Sequence, residues 1–327
     1  MSATSNVNEV RIAATARLHL GFLDLDGGVG RKFGGLGLSL SEPRTRLTLT
    51  RSSDNRVEGA EASRAASLLA RAQAALAPNA RHRLVVHEAI PAHAGLGSGT
   101  QLALSVAAAV RRLEDLPADA DGDAALLDRG ARSGLGAGLF RLGGFVVDGG
   151  RGAAQRPPPV VCRLPFPEDW RILLVSDPKA EGLAGDGERE AFAQLPAFSA
   201  IKAGEACRRV LMQALPALVE HDIAAFGEAI FAIQSIMGDH FAPAQGGRHF
   251  ASAAVESAVA RLVAAGAVGP GQSSWGPTGF AFVASEAEAC AIRDRLRPEL
   301  EAQGLRVDIA SGFSRGAKID AAYARVA

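Results

Sequence analysis

One glycine-rich segment of the sequence has residue types that suit the binding of an anion. It lies between an apolar run typical of a strand and a longer run typical of a helix, and it reads Gly95, Leu96, Gly97, Ser98, Gly99, Thr100. Glycine permits positive φ and a close backbone approach, while the free N–H groups and the dipole at a helix start attract negative charge. Ser98 or Thr100 could cap the helix. The segment therefore predicts a phosphate or pyrophosphate site, although an ordinary strand-to-helix turn can contain the same glycines.

Basic side chains elsewhere could bind the charged groups of a substrate. Arg17 and His19 alternate along a predicted strand and should share one face. A guanidinium group is shaped to clamp phosphate or carboxylate, so Arg17 is predicted to do so, with a surface ion pair as the alternative. His19 could donate to pyrophosphate or carboxylate, or pack in the core. Arg31 could bind a sugar phosphate or be solvated, and His93 could face the anion or point outward.

One carboxylate near these basic residues could hold a metal ion. Asp24 precedes Gly27 and Gly28, a setting in which aspartate also serves simply to form a turn. Carboxylate oxygens are the hard ligands that Mg²⁺ prefers. Mg²⁺ is therefore the predicted cofactor, with Asp24 as its candidate ligand, and no organic cofactor is predicted.

A second glycine-rich turn lies near the end of the chain, at residues 269–277. Its Trp275 could pack against an aromatic ring of a substrate, because the indole offers a large flat face. A tryptophan buried in the core is the commoner arrangement. The turn is therefore a candidate second wall of the site.

The elements that must position these residues follow from the hydrophobic pattern. In the first half, the pattern predicts strands at 10–20, 45–50, 82–90 and 145–148, and helices at 60–77, 98–113 and 123–132. In the second half, it predicts strands at 170–176, 280–284 and 305–310, and helices at 252–265, 286–303 and 203–236, the last broken near 221–222. This mixture predicts an α+β fold. The prolines at 157–159 predict a loop or a linker.

The composition excludes some classes of protein. The 327 residues include 35 Lys and Arg and 35 Asp and Glu, so the chain lacks the basic surplus of a typical nucleic-acid-binding protein. No apolar run is long enough to cross a bilayer. The polar start and three widely spaced cysteines predict a cytoplasmic protein without a disulfide framework. We expect small-molecule substrates, no nucleic acid and no membrane.

The two glycine-rich segments resemble motifs of the GHMP kinase superfamily. Residues 91–99 are similar to its Pro-x-x-x-Gly-Leu-Gly-Ser-Ser motif, which wraps a phosphate chain, and residues 271–279 occupy the place of its third motif. This resemblance implies a two-lobed α+β fold. An N-terminal lobe like ribosomal protein S5 is placed at 1–165, and a C-terminal ferredoxin-like lobe at 166–327.

The chain departs from a kinase of that superfamily at one position. Many of those kinases carry a catalytic Asp in a Ser-Gly-x-Asp segment, and the matching residue here is Gly136. Glycine can neither accept a hydroxyl proton nor hold a metal. Asp148 is close in sequence and could substitute, or could form a plain turn before Gly149. Phosphoryl transfer by the usual route is therefore disfavoured.

More specific similarities extend from residue 11 to about residue 318. Asp24 and residues 17–20, 30–31, 34–37, 99–101, 143–150, 188–192 and 272–277 resemble segments of β-ribofuranosylaminobenzene 5'-phosphate synthases. The resemblance implies catalytic roles for Arg17, His19 and Asp24 and pyrophosphate binding by His93 and residues 95–100. It implies substrate binding by Arg31 and by the residues Gln272, Ser273, Ser274, Trp275 and Gly276.

That family implies a reaction. Phosphoribosyl pyrophosphate and 4-aminobenzoate or 4-hydroxybenzoate give a C-riboside 5'-phosphate, CO2 and pyrophosphate, in tetrahydromethanopterin biosynthesis. Because CO2 rather than a proton leaves the ring, no strong base is obligatory, which is compatible with Gly136. The alternatives are an ATP-dependent small-molecule kinase and a non-catalytic sensor of a phosphorylated metabolite or nucleotide. The family resemblance and the apolar helices predict a homodimer.

Overall fold

The architecture comes from a computed structural model that describes residues 7–153, 156–180, 182 and 185–323. These residues form eleven strands and ten α-helices. The strands are β1 (Val7–Asp24), β2 (Phe33–Arg51), β3 (Arg56–Gly59), β4 (His82–Glu88), β5 (Phe145–Asp148), β6 (Val160–Leu164), β7 (Arg171–Ser176), β8 (Val268–Gln272), β9 (Thr278–Val283), β10 (Arg306–Ser311) and β11 (Lys318–Tyr323). The helices are α1 (Ala62–Leu76), α2 (Ser98–Leu113), α3 (Ala120–Leu126), α4 (Leu135–Leu142), α5 (Gly185–Gln194), α6 (Ala200–Arg209), α7 (Leu215–Glu220), α8 (Ile223–Phe241), α9 (Ala253–Ala264) and α10 (Glu286–Ala302).

A seven-stranded sheet forms the first half of the molecule. Its main path is β11-β1-β2-β4-β3, and β5 and β6 extend it beside one end of β2. The long antiparallel hairpin β1–β2 is its centre, and only the β3–β4 pair is parallel. Apolar residues of β1, β2 and β4 pack against α1 and α2. This packing holds the start of α2 against the sheet.

A four-stranded antiparallel sheet, β10-β7-β9-β8, forms the second half. Helices α9 and α10 bury apolar side chains against its strands in one cluster. On the other side, α8 and residues of β7 and β9 join β1, β2 and β5 in a shared core. The α+β fold class predicted from the sequence is confirmed.

The last strand, β11, follows the second half in sequence but belongs to the sheet of the first half. β6 ends at Leu164 and β7 begins at Arg171, so the predicted boundary after residue 165 falls in the loop between them. β11, however, pairs antiparallel with β1 in the first sheet. The division into two domains therefore stays a prediction, and the polypeptide end contributes to the N-terminal sheet.

Most predicted elements are confirmed, and the exceptions have local causes. The helix predicted at 98–113 is α2, and the break predicted near 221–222 occurs where His221 adopts φ +57° and Asp222 caps α8. The helix predicted at 123–132 is wrong, because α3 ends at Leu126. Helix α4 was not predicted, since two of its eight residues are glycines, which favour turns. Helix α5 and strands β3, β6, β8 and β11 were also not predicted. Within the described ranges, no helix is long and apolar enough to cross a membrane.

Candidate active site

The glycine-rich turn lies directly before α2, as the sequence predicts. The turn ends at Gly97, whose φ of +81° is favourable only for glycine, and the helix begins at Ser98. Ser98 therefore does not cap the helix, and in the described structure no side chain caps this helix start. A helix start without such a cap leaves backbone N–H groups available to an anion.

Contacts from β1 hold the turn in place. The backbone N–H of Arg17 donates to the carbonyl of Leu96 at 3.0 Å, and its Nη1 donates to the carbonyl of Gly95 at 3.3 Å. A Cβ on Gly97 would lie 2.9 Å from Cγ of Arg17, so the arginine side chain lies against this glycine. The structure therefore brings Arg17 to the predicted phosphate turn.

The second glycine-rich segment packs against the first. Ser273 is fully buried, and its Oγ donates to the carbonyl of Gly95 at 2.9 Å while accepting the backbone N–H of His19 at 3.0 Å. A Cβ on Gly95 would lie 2.9 Å from Cα of Gly276. Ser274 adopts φ +58° beside this contact. The two segments that the sequence suggests separately therefore form one surface.

Two arginines that sequence reasoning missed converge on the start of α2. A Cβ on Gly99 would lie 3.1 Å from Nη2 of Arg64 and 3.3 Å from Nη1 of Arg129. Arg64 is on α1, where it pairs with Glu61 at 2.8 Å, and Arg129 follows α3. The Arg129 Nε is buried and has no hydrogen-bond partner in the described structure. Burial, then the neighbouring Arg64 and Arg71, lowers the pKa of Arg129. Like charges held together beside a helix start would attract an anion.

His19 is a buried neutral imidazole. It is 5% exposed, and its Nδ1 accepts the backbone N–H of Gly21 at 3.3 Å, which leaves the ring proton on Nε2. Burial lowers the pKa of His19 to about 3, with further lowering by Arg17 and Arg132. Nε2 has no hydrogen-bond partner among the described residues. His19 therefore supplies a neutral N–H donor at neutral pH.

This depressed pKa predicts a specific loss of stability in mild acid. In the unfolded chain His19 becomes protonated below about pH 6.5, whereas in the folded chain it stays neutral down to about pH 3. Because protons then bind preferentially to the unfolded chain, acid favours unfolding. Lowering the pH from 7 to 5 should therefore reduce the free energy of unfolding by about 2 kcal/mol through the protonation of His19 in the unfolded chain. Urea titrations of the wild type and His19→Leu across this range measure it. The free energy of unfolding of the variant should fall less steeply with decreasing pH than that of the wild type. Equal slopes for the two proteins would contradict the assignment of His19 as a neutral imidazole.

An aromatic cluster surrounds one side of His19. The His19 and Phe22 ring centroids are 4.5 Å apart, and Trp275 packs on Phe241 at 4.6 Å and on Phe192 at 5.5 Å. The Arg132 guanidinium lies 4.8 Å from the Phe192 ring centroid. Trp275 is 4% exposed. Its indole thus lies within the aromatic cluster, and one edge of the cluster lines a small cavity.

Other residues singled out from the sequence hold the surrounding loops. Asp24 Oδ1 accepts the N–H groups of Asp26 and Gly27, an Asx turn that ends β1. Arg31 donates to the carbonyls of Gly149 and Gly150 at 2.6 Å each. Both side chains thus bind backbone groups in the structure, and their roles as metal and phosphate ligands stay predictions.

Gln272 and His93 also make contacts within the protein. The Gln272 amide donates to Ser274 O and Gln245 Oε1 and accepts from the Ala251 N–H. The His93 carbonyl accepts the N–H of Gly182, while its side chain is exposed beside the turn. Gln272 therefore shapes the loop that carries Ser274.

The position of the kinase base is filled by packing. A Cβ on Gly136 would lie 2.5 Å from Cγ2 of Thr100, so an Asp at this position would require the Thr100 side chain to move. Asp148 is fully buried and accepts hydrogen bonds from Ser133 Oγ, Gly134 N and Gly150 N. Burial raises its pKa despite these contacts. Asp148 therefore holds the start of α4, an arrangement that favours a structural role for this carboxylate.

Two family models match the chain. The model described as "GHMP kinases N terminal domain" matches residues 61–139, which include the phosphate turn, and the model described as "GHMP kinases C terminal" matches residues 214–302. Solved structures agree. A homoserine kinase from Cytophaga hutchinsonii has a TM-score of 0.68 at 16% identity, covering 98% of this chain and all of that one. A mevalonate diphosphate decarboxylase from Enterococcus faecalis has a TM-score of 0.68 at 15% identity, covering 96% and 99%. These likenesses show the fold.

Relatives with higher identity narrow the family. A β-ribofuranosylphenol 5'-phosphate synthase from Methanothermobacter thermautotrophicus is 30% identical over 335 residues, covering 95% of this chain and 98% of that protein. A protein of the same name from Archaeoglobus fulgidus is 33% identical over 239 residues, covering 69% and 76%. The identity extends over nearly the whole length, as the motifs from Arg17 to Gly276 predict. The chain therefore belongs to the β-ribofuranosylphenol 5'-phosphate synthase family, with the fold of the GHMP kinases.

Proposed function

We propose that this pentosyltransferase joins the phosphoribosyl group of phosphoribosyl pyrophosphate to the ring of 4-hydroxybenzoate, as a step of tetrahydromethanopterin biosynthesis. The bond from ribose C1 to pyrophosphate breaks, and the ring carbon that bears the carboxylate forms a bond to C1. The ring–carboxylate bond then breaks, and its electron pair restores the aromatic ring as CO2 leaves. The hydroxyl-bearing substrate follows from the names of the relatives, which describe a ribofuranosylphenol product.

The observation that carries this proposal is a cluster of arginines at the start of α2 together with a glycine at the position of the kinase base. Arg64 and Arg129 converge on the start of α2, and Arg17 packs on Gly97. Such a site binds pyrophosphate and stabilises its charge as it leaves. The place of the kinase base is Gly136, packed against Thr100. Departure of pyrophosphate needs charge stabilisation, whereas phosphoryl transfer to an alcohol would also need a proton acceptor.

We also propose that Mg²⁺ takes part, carried on the pyrophosphate oxygens. Among the residues that the structure describes, no group of three or more His, Cys, Asp or Glu side chains could hold a metal. The Asx turn occupies one oxygen of Asp24, so this residue fits poorly as a main ligand. Mg²⁺ in phosphate sites commonly relies on the substrate for several ligands.

Two further properties are proposed. We propose a cytoplasmic protein, on the cysteine pattern given above. We propose a homodimer, because exposed apolar side chains lie on α6 and on the π-helical turn that follows it (Val210–Ala214). Ile201, Leu211 and Met212 are 83%, 65% and 69% exposed. Light scattering should then give twice the chain mass, and Met212→Glu should lower it.

The test of the proposed reaction follows carboxyl carbon. Purified protein, Mg²⁺, phosphoribosyl pyrophosphate and carboxyl-labelled 4-hydroxybenzoate should release labelled CO2 only when all components are present. A parallel assay with γ-labelled ATP and small alcohols should transfer no label. CO2 release that needs phosphoribosyl pyrophosphate supports the synthase. Label transfer from ATP would support the kinase, and ligand-induced stabilisation without turnover would support the sensor.

A further inference from the structure

A small cavity lies beside His19, behind the phosphate turn. It has a volume of about 40 Å³, and its apolar wall comprises Phe22, Met237, Phe241 and Trp275. A cavity of about 150 Å³ is needed to enclose a benzene ring. This one therefore admits a single ring substituent and not the whole ring.

The two glutamines Gln234 and Gln272 that line the cavity already make hydrogen bonds within the protein. Gln234 donates to Leu20 O and accepts from the Gln272 N–H. Gln272 uses its amide on the neighbouring loop, through Gln245 and Ser274. Amide groups held in this way position the wall and are less available to a ligand. Among the side chains that line the cavity, His19 has the buried nitrogen, Nε2, that lacks a hydrogen-bond partner in the described structure.

The open group of His19 is a donor. Nδ1 already accepts the N–H of Gly21, so the proton lies on Nε2, and this buried atom has no acceptor among the described residues. A buried donor without an acceptor is unfavourable until a ligand satisfies it. The cavity therefore favours a substituent that accepts a hydrogen bond.

We infer that His19 selects the para-hydroxyl group of the benzoate, by donating from Nε2 to the hydroxyl oxygen. This rests on the proposed function. A phenol oxygen accepts a hydrogen bond readily, whereas the lone pair of an aniline nitrogen is delocalised into the ring. The aniline would leave the His19 donor unsatisfied, which is the arrangement by which a binding site rejects an analogue.

The position of the cavity relative to the turn agrees with this orientation. The His19 backbone and the Gly95 carbonyl share one hydroxyl, Ser273 Oγ, so one side chain separates the turn from a residue that lines the cavity. The reacting carbon must meet ribose C1 beside the pyrophosphate. The para substituent is opposite that carbon, so in this orientation it points away from the turn, and the proposal places it in the cavity beside His19.

The test compares the two benzoates on three proteins. We expect the wild type to prefer 4-hydroxybenzoate in kcat/KM, and His19→Leu to reduce the ratio of the two kcat/KM values by about 30-fold. His19→Gln keeps an N–H donor and should retain an intermediate ratio. An equal loss for both substrates would overturn the inference, because it would place the carboxylate or a structural role at His19.

A second measurement needs neither turnover nor a variant of full activity. In protein labelled with ¹⁵N-histidine, the His19 Nε2 signal, assigned by its absence in His19→Leu, should shift when 4-hydroxybenzoate is added. 4-Aminobenzoate should shift it much less. Equal shifts, or none with either ring, would overturn the inference. Failure of the CO2 assay with a selective shift would instead reject the proposed reaction and leave the selectivity of the cavity standing.

Discussion

Replacing Arg129 with alanine should lower kcat/KM for phosphoribosyl pyrophosphate by about 100-fold, since a charged contact to phosphate contributes about 3 kcal/mol. Its Nη1 lies 3.3 Å from the Cβ position of Gly99, beside the first turn of α2. Arg64→Ala should give a similar loss from the other side. Steady-state rates at varied phosphoribosyl pyrophosphate measure both. Arg129→Lys should recover only part of the lost kcat/KM, because an ammonium group lacks the planar set of donors that a guanidinium offers.

The same variant should not lose stability. Arg129 is a partly buried cation beside Arg64 and Arg71, and its Nε has no hydrogen-bond partner in the part of the chain described. Removing it relieves repulsion and desolvation, so the free energy of unfolding should stay the same or rise. Stability given up at a binding site in this way is a common feature of enzymes. A loss of activity together with a large loss of stability would instead indicate a structural arginine.

Arg71 supplies the matched control. It lies on α1, as Arg64 does, but it pairs with Asp128 at 2.6 Å and is 46% exposed. Arg71→Ala removes one positive charge from the same helix without touching the start of α2. Its kcat/KM should stay within about threefold of the wild type, because an exposed and paired charge that does not contact the start of α2 contributes little. A loss equal to that of Arg129→Ala would mean that general charge, and not contact, explains the effect.

The sequence predicts the phosphate turn well because its signals are local. Glycines before an amphipathic helix determine the turn and the start of α2 without reference to the rest of the chain. The partners of the turn are different. Arg64 and Arg129 are far apart in sequence on separate elements, so their convergence on Gly99 depends on how α1 and α3 pack. The only hint in the sequence is an arginine at the start of one predicted helix and another within a second predicted helix, and such a pattern is weak evidence for a shared site.

Residue type alone does not identify a ligand-binding side chain where the same side chain can also hydrogen-bond to nearby backbone groups. Asp24 and Arg31 have the chemistry of metal and phosphate ligands, yet backbone N–H and C=O groups bind them in the structure. Turn formation and ligand binding use the same side-chain atoms, so spacing cannot separate them. His19 shows the reverse. Its burial and its open Nε2 follow from the packing of β1 against the loop of Ser273, which no local pattern encodes.

Gly95→Ala should disrupt both stability and activity, because Gly95 is where the two glycine-rich segments meet. Its φ is +78°, and an added Cβ would overlap the carbonyl oxygen of Ser273 and lie 2.9 Å from Cα of Gly276. Both obstacles are backbone and cannot rotate away. The combined strain and overlap should cost about 3 kcal/mol of the free energy of unfolding. Displacement of the turn should lower kcat/KM at least about 100-fold, since small misplacements of a binding site are costly.

Gly304→Ala separates backbone strain from this overlap. Gly304 has nearly the same φ, +82°, but a Cβ there would meet only the end of the Lys179 side chain, at 3.6 Å. The control should therefore lose only about 1 kcal/mol and keep its activity. Urea titration and the CO2 assay on both variants give the comparison. If Gly95→Ala behaved like Gly304→Ala, the loop at 273–276 would not support the phosphate turn. If it lost both properties, close packing of two glycine-rich segments would be the structural basis of the anion site.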